Sequence, residues 1–264
     1  MILFCVIMLY PIVWLLSSSF KEDHRIMATA ASLIPEKVVL DNYIRTWKGI
    51  GRQSFLDFFG NTVLISVSCT VASVFSNTWI AYGFARLQFA GRRMWFAIMI
   101  VTLCLPGMVT QIPKYLLFNK IGWVGTFAPL IVPAFFGWAK NVFMLMMFMR
   151  NVPKEMDEAA TIDGCGRLGL YFRIIVPLVK PAVVMVGVLR FITAWNDFYG
   201  ALIYLNKPSM YPIGLALKLY NDETSVQYGP MMAMSVLSLI PIFILFSIFQ
   251  RSLIEGIATT GIKG

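Results

Sequence analysis

The chain has 264 residues, of which 58% are hydrophobic and 13% charged, with a formal net charge of +9. Soluble domains carry about a quarter charged residues, so this balance, with a mean hydropathy of +0.74, excludes one and indicates an integral membrane protein. The basic residues are scattered among polar segments rather than gathered on one face, which argues for membrane topology and against a nucleic-acid partner.

A helix needs about 20 mostly apolar residues to cross the hydrocarbon core. Residues 1–20, 58–85, 94–113 and 224–250 contain no charge, and 121–149 and 182–205 are apolar apart from Lys140 in the first and Arg190 and Asp197 in the second. These runs predict an all-α polytopic fold, a single domain over 1–264, with six spans at about 1–20, 58–85, 94–113, 127–149, 182–205 and 229–250. The short alternating segments of a membrane β-barrel are not seen. The first run has no positive segment before it and no small-residue cleavage site after it, so it does not read as a signal peptide.

With the N-terminus inside, the inner loops are 85–93, 150–181 and 251–264 and hold ten basic residues. The outer loops also hold ten, over a longer length, so charge asymmetry supports this orientation only modestly. In the first outer loop, residues 41–48 predict a short helix with Tyr43, Ile44 and Trp47 on one face, suited to packing at the outer membrane surface. That loop and residues 206–229 are the two candidates for contact with an extracellular binding protein.

Metal and nucleophile chemistry is not encoded. The four cysteines show neither metal-ligand spacing nor a disulfide framework, and His24 stands alone in an outer loop. The phosphate loop GxxxxGK[ST], HExxH and GxSxG are all missing, so ATP-driven work would need a nucleotide site on another subunit.

Charges inside spans cost about 2.5–3.5 kcal/mol on insertion scales and usually face a bundle interior or a watery cavity. Arg190 and Asp197 are seven residues apart, two helical turns, and share a face. Trp195, Asn196 and Tyr199 surround Asp197 with the stacking and hydrogen-bonding groups that suit a sugar. Two readings stand side by side: ion pairing of Arg190, Asp197 and Lys140 within the bundle, and a lining for a translocation path. Pro106, Pro129, Pro133, Pro181 and Pro241 interrupt or begin helices, as in a bundle that moves.

The long charged segment 150–181, RNVPKEMDEAATIDGCGRLGLYFRIIVPLVKP, lies between two spans. It predicts two short helices with a corner at Gly164. Pro153 is suited to the first helical position, and Glu155, Asp157 and Glu158 to the first turns, where the helix dipole favours negative charge. Lys154–Glu158 and Asp163–Arg167 are possible four-apart ion pairs, and residues 167–175 form the second helix. Ala159 and Ala160 make a low face that another surface can approach closely. From the residues alone, docking to a soluble partner and resting on lipid headgroups both remain open.

Here a resemblance decides. Glu158-Ala159-Ala160, Gly164, Ile174 and Val176-Pro177 resemble the EAA signature (EAA, G, I-x-LP) of permease subunits of bacterial ABC importers, with Val176 where leucine is usual. Tyr82-Gly83-Phe84-Ala85-Arg86-Leu87, Trp195-Asn196-Asp197-Phe198 and the C-terminal Gly261-Ile262-Lys263-Gly264 extend the likeness to carbohydrate permeases of the maltose-permease type, the smaller of two paired subunits. The resemblance implies a multi-pass protein of the bacterial cytoplasmic membrane, in contact with membrane lipid. It implies a second homologous permease, a cytoplasmic ATP-binding subunit dimer and an extracellular or periplasmic solute-binding protein as partners. This chain would bind no cofactor, with ATP and Mg held by the ATPase.

On this likeness, Glu158, Ala159, Ala160, Gly164, Ile174 and Pro177 form a cytoplasmic coupling surface for the ATPase. Arg190, Trp195, Asn196, Asp197 and Tyr199 are the candidate path residues, and the tail 251–264 is either a further ATPase contact or a frayed end. Members of the family usually carry a short basic lead before the first span, so a start further upstream, or loss of that lead, is expected. An ion-coupled secondary transporter using Asp197 and a membrane scaffold protein are the rival readings.

Overall fold

The computed structural model describes residues 2–221 and 226–261, with side chains for 4–221 and 226–253. The described residues are helical without a sheet, carrying two isolated bridges, Ile50 with Gln53 and Asn221 with Val226. In chain order the helices that matter are α1 (Ile2–Ser18), α2 (Asp41–Lys48), α3 (Phe55–Arg86), α4 (Arg92–Cys104), α5 (Gln111–Lys120), α6 (Ala139–Asn151), α7 (Glu155–Ile162), α8 (Arg167–Leu178), α9 (Lys180–Trp195), α10 (Phe198–Tyr204) and α11 (Tyr228–Gly261). By length and composition α3, Ala128–Asn151 and Tyr228–Leu253 are able to cross a membrane, and α8 with α9, bent by 78°, makes a fourth candidate. Residues 262–264 of the C-terminal motif lie outside the described residues, as do the side chains of 254–261.

Three expected spans carry a break. The run 94–113 is interrupted after Cys104, where Leu105 is extended (φ −79°, ψ 119°). Pro106 forces this, because its ring disfavours the helical conformation of the residue before it. The run 182–205 stops at Trp195 and restarts at Phe198, with Asp197 non-helical (φ −75°, ψ 90°) between them. In 127–149 a break falls at Gly137, whose φ of +79° suits glycine and whose absent side chain leaves room for Ile80. Asn77 spans that break by accepting the Trp138 N–H at 2.7 Å.

The chain divides into two compact units. The first comprises Met1–Leu64 and Asn196–Ile244. Polar side chains stitch its outer segments by bonding to backbone carbonyls. Asn42, only 2% exposed, donates to Ser19 O (2.9 Å) and Lys21 O (2.8 Å). Thr46 donates to Pro230 O (3.0 Å), and the Gly229 N–H donates to Asp23 (2.8 Å). The predicted helix 41–48 is therefore present as α2, with Asn42 and Thr46 pointing inward and Ile44 and Trp47 exposed on the other side. An apolar face turned outward is natural where the surroundings are not water. His24 is exposed, with its Nε2 3.7 Å from Glu22 Oε2.

A side chain at Gly229 would collide with this seam. Its Cβ would lie 2.1 Å from Asn42 Oδ1, and the Asn42 amide is held by its two carbonyl partners. Gly229→Ala is expected to destabilise by about 2 kcal/mol through overpacking. That should lower the thermal midpoint in detergent by on the order of 5 °C. Gly214→Ala, where an added Cβ meets nothing within 4 Å, is the control and should leave the midpoint unchanged.

The second unit comprises Ile65–Trp195 and Leu245–Gly264. Its core joins Ala81, Tyr82 and Phe84 of α3 to Met99 of α4 and to Leu145, Met146 and Met149 of α6. Tyr171 and Ile175 of α8 and Ala182 and Val186 of α9 complete it. α6 packs on both α4 and α9. Val67, Val71 and Phe75 of α3 remain exposed, as expected of helices that meet lipid or other helices rather than water.

Candidate functional site

The segment between α6 and α9 is built as a corner. α7 begins at Glu155, two residues later than a helix with Pro153 at its first position, and Pro153 instead offers its carbonyl to the Met156 N–H (3.4 Å). Glu155, Asp157 and Glu158 occupy the first turn, where the dipole favours them. At the other end Cys165 N–H donates to Ala160 O (2.8 Å) and Gly164 N–H to Thr161 O (3.0 Å), with Gly164 at φ +78°. This is a Schellman stop, and glycine supplies its left-handed residue without strain. α8 follows, wound as a π-helix over Leu170–Ile175.

Three polar side chains on the last turns of α3 hold the corner. Thr78, Tyr82 and Arg86 are four residues apart and so share a face. Thr78 bonds the Tyr171 hydroxyl (2.7 Å), and the Tyr82 hydroxyl donates to Arg167 O (3.0 Å). Arg86 Nη2 donates to Val152 O (2.6 Å), while Nη1 lies 3.3 Å from Asp157 Oδ2. The Arg86 side chain is 4% exposed and that of Asp157 21%, so this is a buried ion pair on the inner face of α7. Arg86 Nε and Asp157 Oδ1 have no hydrogen-bond partner among the described residues. The expected pairs Lys154–Glu158 and Asp163–Arg167 are not formed among the described residues; the acidic residue of α7 that finds a cation is Asp157, and its cation comes from α3.

With Asp157 and Ala160 turned in, the opposite side of α7 is presented outward. Glu158, Ala159 and Gly164 are exposed, Ile162 is 87% exposed and Leu168 61%. Of the remaining motif residues, Pro177 is exposed, Ile174 is half-buried and Ala160 is buried. Ile175, fully buried, anchors α8 in the core rather than Ile174.

The five candidate path residues divide between the two units, Arg190 and Trp195 in the second and Asn196, Asp197 and Tyr199 in the first. Arg190 is 9% exposed and lies over the Trp138 ring, 4.5 Å from its centroid, a cation–π contact that stabilises a guanidinium away from water. Trp195 is also buried. Asp197 is the N-cap of α10, accepting the Gly200 N–H at 2.9 Å. Asn196, Asp197 and Tyr199 are exposed, whereas Lys140 stands exposed at the start of α6.

The family model for the "binding-protein-dependent transport system inner membrane component" matches residues 77–258, more than two thirds of the chain and all of the corner just described. The chain belongs to that family. It is a multi-pass permease component of an ABC transport system of the inner membrane, and as such is not itself an enzyme. The arabinooligosaccharide transport system permease protein of Halalkalibacterium halodurans is 33% identical to this permease, over 98% of this chain and 92% of the relative. The trehalose/maltose transport system permease protein of Thermococcus litoralis is 30% identical over 100% and 94%. Among solved structures, a bacterial ABC transporter involved in alginate import has a chain of the same fold, with a TM-score of 0.82 at 22% identity over 94% of this permease and 92% of that chain.

Sequence reasoning missed the buried pair of Arg86 and Asp157. A signal was present: Thr78, Tyr82 and Arg86 place three polar groups at four-residue spacing along one face of an apolar helix.

Proposed function

We propose that this permease carries a carbohydrate or a related polar solute, and that the corner over residues 150–181 docks on a cytoplasmic ATPase. The presented face around Glu158, Ala159 and Gly164, backed by the Arg86–Asp157 pair, carries the proposal. The substrate class is supported by its similarity to permeases of arabinooligosaccharide and trehalose/maltose transport systems. Six spans at about the bounds expected from the apolar runs, in one permease domain over 1–264, line the pathway with a second homologous permease. The ATPase dimer holds ATP and Mg, and this chain binds neither. The partner that delivers solute is a periplasmic binding protein, as in the alginate transporter solved with one bound. An ATPase closing on ATP draws the docked corners together and turns the cavity outward.

The exposed Asn196, Asp197 and Tyr199 supply hydrogen-bonding and stacking groups to the solute path, whereas Arg190 and Trp195 are buried. Asp197 acts through its cap on α10. Asparagine caps as well as aspartate, whereas alanine loses about 1 kcal/mol. Asp197→Asn is therefore expected to keep the uptake rate and Asp197→Ala to lower it; equal losses in both would assign the carboxylate charge itself to the solute.

Reconstitution with the partner subunits tests the whole reading. Uptake from a panel of oligosaccharides should require ATP and survive dissipation of ion gradients. Uptake that ignores ATP and collapses with the gradient would overturn it in favour of the ion-coupled alternative.

A further inference from the structure

Three arginines face a cavity of about 590 Å³: Arg92 and Arg93 at the start of α4, and Arg150 at the end of α6, where the corner begins. Its apolar lining includes Phe84, Phe89 and Phe96. No acidic residue lines it, and none of the three arginines forms an ion pair among the described residues. Arg92 spends one donor on Phe84 O, and the Arg150 guanidinium sits 5.9 Å from the Phe96 ring centroid. The first turn of α4 carries no acidic residue and no side-chain cap. Two cations there oppose the helix dipole, so their placement is not explained by helix stability.

The cavity lies at the same end of the second unit as the corner. Arg86, six residues before Arg92, is joined to Val152 and Asp157, just beyond Arg150. From the arginines, α4 runs away with Met94, Trp95, Ile98 and Val101 exposed at 57, 53, 45 and 61%. Trp95, one turn into the helix, is placed as an aromatic at a membrane–water boundary. A phosphate bonded to the guanidiniums would leave its acyl chains along this apolar face.

We propose that this cavity is a binding site for the headgroup of an anionic phospholipid of the cytoplasmic leaflet. Guanidiniums match phosphate oxygens in geometry and charge, and basic pockets between membrane helices on the cytoplasmic side take such headgroups. The bound phosphate neutralises an otherwise unpaired cluster and ties the start of α4 to the end of α6, immediately before the corner. The assignment of the leaflet rests on the cytoplasmic placement of the corner proposed above.

The test uses the full chain with its partner subunits in nanodiscs of equal phosphatidylglycerol and phosphatidylcholine, with retained lipid read by native mass spectrometry. The wild type should retain phosphatidylglycerol in preference by on the order of ten-fold. Arg93→Gln with Arg150→Gln should bring the ratio near one, and Arg173→Gln with Lys180→Gln, removing two charges from the corner itself, should leave it unchanged. Preference that persists in the first variant, or disappears equally in the second, overturns the site. Displacement of the lipid by millimolar inorganic phosphate overturns the lipid as its occupant in favour of a soluble phosphate. Should the first variant fail to assemble, the wild-type titration decides, since equal retention of both lipids contradicts the proposal. Lipid retention is read without ATP or solute, so failure of the transport reading leaves this outcome interpretable.

Discussion

In an Arg86→Met variant, ATP-driven uptake is expected to fall by on the order of a hundred-fold while the chain remains in the membrane. The substitution leaves Asp157 on the inner face of α7 without its cation and removes the bond to Val152 O. Breaking a buried pair from one side costs about 3–5 kcal/mol, whereas replacing both partners with apolar groups is often neutral. That is enough to release α7 from the end of α3 without unfolding the core behind it. Arg86→Met combined with Asp157→Met should accordingly recover much of the uptake lost in either single variant. Uptake, membrane level and ATPase co-purification of the three variants check this together. Wild-type uptake in Arg86→Met, or no recovery in the double variant, would show that the pair does not position the corner.

Gly164 separates strain within the chain from contact with a partner. A Cβ there meets nothing within 4 Å, so the internal cost of a side chain comes from φ +78° alone. That cost is about 1–2 kcal/mol for most residues and smaller for asparagine, which tolerates the left-handed region. Gly164→Asn should therefore preserve the corner and its thermal midpoint, yet lose most of the uptake and ATPase binding because bulk now stands on the presented face. Gly164→Val should lose both, since a β-branched residue is poorly accommodated at positive φ. Normal ATPase binding in Gly164→Asn would mean that this face is not the docked one.

Much of this was legible in the chain. The composition pointed to a helical membrane chain, the helix 41–48 forms at its predicted bounds, and Gly164 stops α7 as its conformational freedom suggested. What stayed hidden has three physical causes. Local breaks compete with hydropathy: residues 94–113 and 182–205 read as continuous spans, but Pro106 and the capping Asp197 interrupt them. Side-chain bonds have no hydropathy signal: Asn42 and Thr46 of α2 turn inward to satisfy buried carbonyls, while its apolar side stays outward. Long-range pairing has no local signature, and Asp157 takes its cation from a helix some seventy residues earlier rather than from a neighbour on α7.

The most direct test is a gentle detergent pull-down of the permease from its native membrane, with and without Glu158→Ala combined with Gly164→Asn. Recovery of a second permease and an ATP-binding subunit with the wild type, and of the second permease without the ATP-binding subunit in the variant, is the predicted result. Equal recovery of the ATP-binding subunit by both forms would contradict the assignment of the exposed α7 corner as the surface through which ATP drives transport.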